Sequence, residues 1–542
     1  MISLYHTTDN PYSLYGIHHF IEKSGIPVEI NKPSSSGIVI SYGGKPQGSY
    51  VISVQENEIQ NLICGNISQE SDIIPVCEIP QETGMEDEVI ASFKNGASGY
   101  PCVTRTKQGF TFGIDIFKET GYLLSGHLDT IRPNLDPFAK KELASSPVVD
   151  FLENLLFDAI LAGCQALQVP LAQKSYWPEG KSFAVCLTHD VDEIKKTYQW
   201  ISRPLRFLAR KDFSGFKGQV SSCIKKIRGT EPYYTYEDII SIERDLGAKS
   251  TYFILKESGN ANLYSKKTWY LYGRNRSLQS PEMRSLIRRL SANGDEVAIN
   301  GSYFSYRDPL LLSEETRELE SILHEKVLGT RQHNLNLEIP TTWTHQINAG
   351  LRYDTTLGFK DTIGFRWGTS FPFFPDTQDG PLPLLEIPLI IMDICLESRS
   401  NKIEDCLRIA DEVHRFCGVL TLLWHPPVFN TQEYTDFRDI YIEINRYCKE
   451  KGAWITTARD IYEWVSLRNK NSFSGTYDPS SNTFSLMSDR EDTGHFFTLY
   501  LPGGSDCVIQ SGNADIIRRN GKYVYIKTHN LPNKSKIILG IL

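Results

Sequence analysis

Apolar residues run unbroken through Phe183-Ala184-Val185-Cys186-Leu187 and give way to Thr188-His189-Asp190-Val191-Asp192. A run of this length is too short for a free-standing helix and has no polar face. It predicts a strand buried on both sides, as in a parallel sheet. Similar short apolar segments recur downstream at 249–255, 296–299, 418–423 and 453–456. Between them lie stretches of helical period, such as 236–246, which stops before Gly247, and 280–292, which stops at Asn293-Gly294. Helices alternating with short strands predict an α/β fold with a parallel sheet, open or closed as a barrel. Residues 194–230, rich in Lys, Arg and apolar side chains, predict helices inserted before the alternation resumes, with the charge on a solvated face.

The flanking regions have different patterns. Within 1–178, Gly37 to Gly44 predicts a strand running into a Gly turn. The Gly43-Gly44 pair reads as a plain turn before it reads as a phosphate cradle. Phe110 to Phe117 alternates like a strand, and Val148 to Leu167 has helical spacing. Tyr176-Trp177-Pro178-Glu179-Gly180 reads as a linker. From about Arg468 the chain turns Ser-, Gly- and Asp-rich, with short alternating runs such as 523–527 and 536–539. These predict a small all-β domain that covers one end of the barrel; carbohydrate binding is the alternative role. The expected division is an N-terminal α/β domain at 1–178, the barrel at 179–467 and the β domain at 468–542.

Composition narrows the function classes. A chain of 542 residues exceeds what one core supports. It is 40% hydrophobic and 23% charged, as an ordinary globular protein is, and its net charge of −8 comes with no basic tract, which argues against nucleic acid as a partner. No apolar run approaches the length of a membrane span, so no integral membrane segment is expected. The first residues lack a basic stretch followed by an apolar one, so no secretory signal is expected. The eleven Cys form no C-x-x-C, and several, such as Cys186 and Cys417, sit in apolar runs. They read as reduced core thiols of a cytoplasmic protein.

The chemistry-bearing residues cluster where strand-like runs end. His189, Asp190 and Asp192 close the first run. Asn300-Gly301-Ser302-Tyr303 follow 296–299, Gly329-Thr330-Arg331-Gln332-His333 follow a helix and a short connection, and Trp424-His425-Pro426-Pro427 follow 420–423. Strand C-termini are where α/β barrels carry their active sites, so four such clusters predict one rim and one site. Two carboxylates one residue apart can divide the work, one holding a metal while the other takes a proton. The competing reading is that Asp190 or Asp192 caps the next helix.

In order and wording these clusters resemble the polysaccharide deacetylase family, the NodB-homology enzymes of carbohydrate esterase family 4. Thr188-His189-Asp190-Val191-Asp192 is similar to the first motif, Arg331-Gln332-His333 to the third and Leu423-Trp424-His425 to the last. Lys249–Phe253 resembles the family's second strand. The stretches 353–359 and 364–369 resemble one bacterial and archaeal subgroup with an N-terminal α/β domain and a T-H-D-V-D motif. The resemblance implies a distorted (β/α) barrel and metal-assisted amide hydrolysis that removes acetyl groups from N-acetylated saccharides or glycoconjugates. It implies Asp190 as general base, Arg331 as its tether and His425 as general acid. It also implies a divalent metal, zinc or similar, on Asp192 with Asn300 and His333 (or His189). Ser302, Tyr303 and Trp424 are the candidates to meet the sugar, with a place in the core as the equal alternative for Tyr303 and Trp424. The sequence departs from the family at the second motif, where Asn300 and Phe304 stand in place of metal-binding His. An amide oxygen suits hard cations better than zinc, and Phe304 offers no donor. The alternative function is therefore a catalytically lapsed deacetylase fold that binds a glycan or a protein partner.

Overall fold

The computed structural model describes residues 2–32, 37–44, 48–84, 87–209, 211, 213–257, 271, 273–377, 380–488, 494–529 and 535–542. They form two compact units. One comprises Met1–Ser182, Trp367–Phe371 and Trp464–Leu542; the other comprises Phe183–Arg366 and Pro372–Glu463. None of the helices among the described residues is long and apolar enough to cross a membrane.

The first unit contains a nine-stranded mixed sheet. Its parallel half includes Ile2–His6, Ile38–Tyr42 and Tyr50–Val54, and the rest is antiparallel. The alternation expected through Phe117 ends earlier, because the strand stops at Phe112 and Ile116–Leu124 is a helix. Asp115 is the cause: its carboxylate accepts the Lys118 N–H at 3.0 Å and caps that helix. Two four-stranded antiparallel sheets share a second core, in which Phe484, Leu486, Leu499, Ile526 and Leu539 are buried together. One edge strand of that sandwich, Leu171–Lys174, comes from far upstream and pairs with Phe496–Tyr500.

The second unit is an incomplete, distorted (β/α) barrel. Its strands are β1 (Ala184–Val191), β2 (Thr251–Leu255), β3 (Glu296–Gly301), β4 (Gly329–Gln332), β5 (Tyr353–Asp354), β6 (Leu385–Glu386), β7 (Ile391–Met392), β8 (Val419–Leu423) and β9 (Trp454–Thr456). The sheet runs β6-β5-β4-β3-β2-β1-β8-β7, all parallel. β1 is central and divides one of its edges: residues 184–186 pair with β9 and residues 188–191 with β2. All eight of its residues are buried, as the apolar run requires. Leu187, Ile254, Leu286, Ile299 and Leu422 belong to the core that the surrounding helices cover. After β1 come helices α1 (Gln199–Ala209), α2 (Phe213–Ile227) and α3 (Tyr236–Leu246). α3 ends on Gly247 at φ 70°, a left-handed position that favours glycine.

Candidate active site

Side chains alternate across a strand, so Thr188, Asp190 and Asp192 share one side of the β1 chain and His189 takes the other. β1 continues through Asp190 to Val191, and the next helix begins only at Gln199, so neither Asp is a helix cap. The parallel register sets Asn300 of β3 beside Arg331 of β4. Arg331 is fully buried and lies over the Phe253 ring of β2 at 4.5 Å. Its Nη1 donates to Asp190 Oδ1 at 2.8 Å and to Thr188 Oγ1 at 2.9 Å, and its Nε donates to the Thr355 carbonyl at 3.2 Å. A buried guanidinium held this tightly fixes the Asp190 carboxylate in place.

His425 follows β8. Its Nδ1 and its backbone N–H both donate to Asp393, at 2.8 Å and 2.6 Å, which leaves Nε2 as the nitrogen available for chemistry. Asp393 is completely buried on the turn after β7. Burial by itself would lower the His425 pKa, but the Asp393 carboxylate outweighs it, with Asp192 and Asp190 adding to the effect, and the ring is pushed up to about 9. Asp190 also shifts upward, from the ordinary carboxylate value. Burial raises its pKa, Arg331 and His425 oppose that, and the net direction is upward. For Asp192 burial also raises the value, but the Arg274, His333 and His425 charges prevail and hold it below the usual range. Two carboxyls a residue apart thus have separate electrostatic roles.

Asp190, Asp192 and His425 line one cavity of about 460 Å³, together with Arg274 and an apolar and aromatic side that includes Tyr434 and Phe437. Asn300 and Arg331 are fully buried next to the two Asp residues. Asn300 Nδ2 donates to Asp192 Oδ1 at 3.1 Å, and its own Oδ1 is buried with no hydrogen-bond partner among the described residues. His333 Nδ1 lies 3.0 Å from Glu257 Oε2, and its Nε2 lies 3.7 Å from Asp192 Oδ2. His189 points away: Nδ1 meets the Trp424 carbonyl at 2.6 Å and Nε2 meets Glu243 at 2.8 Å, so both ring nitrogens are engaged in tying β1 to the β8 loop and α3.

Of the candidates to meet a sugar, Trp424 takes the core alternative. Trp424 is fully buried, its Nε1 donates to the Phe437 carbonyl at 3.0 Å, and its ring packs against Tyr441, so it presents no face to the cavity. Ser302 is also buried, and its backbone N–H donates to Glu315. Tyr303 is half-buried; its N–H donates to Glu257 and its ring meets His333 edge-on.

Three site residues escaped the sequence reading. Asp393 had a signal, since it closes the apolar run Leu389-Ile390-Ile391-Met392 as Asp190 closes the first. Glu257 sits two residues past β2. Arg274 had none, being in an irregular loop. Asn275 places it: the Asn275 N–H donates to the Asp192 carbonyl at 3.0 Å and its Nδ2 to the Val191 carbonyl at 2.8 Å. Arg274 Nη1 then lies 3.2 Å from Asp192 Oδ2 and 3.4 Å from Glu193 Oε1.

These residues do not fit a zinc ion. Asn300 turns its N–H toward Asp192, Phe304 has no donor, and a guanidinium already faces the Asp192 carboxylate from the cavity side. No cluster of three His, Cys, Asp or Glu capable of holding a metal occurs among the described residues.

No family model matches the chain, and no curated protein matches it. Among solved structures it is similar to a protein assigned as a polysaccharide deacetylase in Mycobacterium smegmatis, at 17% identity and a TM-score of 0.36 over 54% of this chain and 93% of that one. It is also similar to a carbohydrate esterase family 4 pseudoenzyme from Bacillus anthracis, at 12% identity and a TM-score of 0.26, over 52% of this chain and 65% of that one. A peptidoglycan deacetylase from Bacillus subtilis gives 12% and 0.26, over 54% and 96%. At these identities and scores, the roles of individual residues rest on the geometry of the site itself.

Proposed function

We propose that the barrel hydrolyses the acetamide of an N-acetylated saccharide, with Asp190 as general base and His425 as general acid. The observation that carries this reading is the pair of oriented dyads on one cavity, Arg331–Asp190 and Asp393–His425. An upward shift makes Asp190 a stronger base than an exposed carboxylate, and an imidazolium stable to about pH 9 is a competent acid. Asp190 takes a proton from water as its oxygen attacks the acetyl carbon. His425 Nε2–H protonates the leaving amine as the C–N bond breaks, giving the free amine and acetic acid, which ionises to acetate, and the proton on Asp190 then restores the acid. Arg274, whose charge sits beside Asp192, offsets the negative charge that builds on the carbonyl oxygen. Tyr198 and Tyr434, both half-buried on the cavity wall, supply aromatic surface for a sugar.

A second reading, saccharide binding without turnover, is favoured by one feature: Arg274 Nη1 is already within reach of two carboxylates. Acetate release from an N-acetylglucosamine oligomer separates the two. The hydrolase reading expects release by the unmodified protein and a fall of about 10²- to 10⁴-fold in Asp190→Asn with the fold intact. Binding of the oligomer with no acetate released would establish the second reading instead.

A further inference from the structure

Helices α1 and α2 are amphipathic in the reverse sense. Along α1, Ile201, Leu205 and Leu208 fall on one stripe at i, i+4 and i+7, and along α2 Phe213, Val220, Ile224 and Ile227 form another. All seven side chains are 46–85% exposed. The polar residues face inward instead. Gln199, Ser202, Arg203 and Arg206 of α1 line the active-site cavity. On α2, Gln219 is buried and accepts from Lys196 Nζ at 2.6 Å, and the same ammonium pairs with buried Glu433 at 2.6 Å. That lock keeps the polar side of the hairpin in and its apolar side out.

Residues 195–228 carry ten Lys or Arg and one Asp, in a chain whose net charge is −8. Five of the ten, Lys195, Lys196, Arg203, Arg206 and Lys226, pair with carboxylates. Lys211, Lys217 and Arg228 are exposed and have no ion-pair partner among the described residues. Aliphatic side chains flanked by unpaired lysines suit a particular surface. Lysine is depleted from protein–protein interfaces, whose anchors are Tyr, Trp and Arg. Apolar side chains sunk at the headgroup boundary, with lysines around them, are what an anionic bilayer accepts.

We infer that the α1–α2 hairpin docks the protein on an anionic lipid bilayer, with the apolar stripes entering the headgroup region and the lysines meeting lipid phosphates. The inner face of α1 forms part of the cavity wall, so docking brings the cavity to the membrane surface. On the hydrolase reading, the substrate class is then an acetylated saccharide carried on a lipid; that consequence rests on that reading, whereas the docking does not.

The test is flotation of the full-length protein with phosphatidylcholine vesicles, either pure or containing roughly one third phosphatidylglycerol. The expected result is association with the anionic vesicles alone, weakened by salt. Leu205→Glu with Ile227→Glu should abolish it, and Lys211→Glu with Lys217→Glu should weaken it at least about tenfold. These positions are on the surface, and matching circular dichroism spectra check the fold of each variant; should a variant misfold, the wild-type comparison of the two vesicles still decides. No association, or equal association with both vesicles, would overturn the inference. So would a dimer that Ile227→Glu dissociates in place of vesicle binding. Failure here would leave Asp190-dependent turnover of a water-soluble oligomer untouched, so the two claims can fail separately.

Discussion

The contrast between Asp190 and Asp192 shows how much one turn of chain can decide. Both lie on the same side of β1, a relation readable from the sequence because strand side chains alternate, and the same rule takes His189 off the site. Their partners are not readable. Arg331 arrives from β4, and Arg274 from a loop whose position depends on two hydrogen bonds from Asn275. Two predictions belong to this scale. His425 is held near 9 against the pull of burial chiefly by Asp393, so the acid form, and with it kcat, should persist to about pH 9 and fall above it. In Asp393→Asn the burial effect is left unopposed by that carboxylate, and the alkaline limb of the kcat profile should move to lower pH; an unmoved limb would assign the titration to another group. The second concerns the cation at Asp192. With Arg274 in place, Asn300→His alone should gain little zinc affinity. Arg274→Ala combined with Asn300→His presents Asp192, His333 and a new imidazole, and should bind zinc at least about tenfold tighter by calorimetry than either single variant.

Elements were read from the sequence where periodicity was local and strong. β1, β2, β3, β8 and helices α3 and 281–292 lie where the pattern put them, because each buries a continuous run or one stripe. Several misses share a cause in long-range pairing. The strand Leu171–Lys174 is defined by a partner more than three hundred residues away, and β5, β6 and β7 are two-residue pairings that no periodicity reveals. Asp115 broke the alternation through Phe117 by capping, a local signal that the apolar pattern masked. The helix it caps carries Glu119, fully buried, whose Oε1 accepts the Cys77 N–H at 2.7 Å. Burial pushes this carboxyl up from 4.5 to about 7. A carboxyl with a raised folded pKa binds its proton more tightly in the folded chain. Its destabilising effect is therefore absent below about pH 4.5, grows as pH rises to about 7, and then levels. Glu119→Gln keeps the acceptor and removes the titration. Relative to wild type it should gain stability between pH 5 and pH 8, on the order of 2–3 kcal/mol, in urea unfolding followed at both pH values. A constant difference across that range would place the titrating proton elsewhere.

At the scale of the molecule, the barrel unit carries the candidate site, and the other unit, built from three separated stretches of chain, carries none of the site residues discussed above. Sequence order gave the barrel and its rim but not the substitution at the rim's centre, where a guanidinium faces the carboxylate that a metal would need. The central claim is that the two dyads work together without a metal on Asp192. It is tested most directly by acetate release from an N-acetylglucosamine oligomer before and after exhaustive chelation, with Asp190→Asn alongside. The account predicts the same rate in the chelated and untreated protein and a fall of about 10²- to 10⁴-fold in Asp190→Asn. Loss of activity on chelation with recovery on added zinc, or no acetate from the untreated protein, would contradict it.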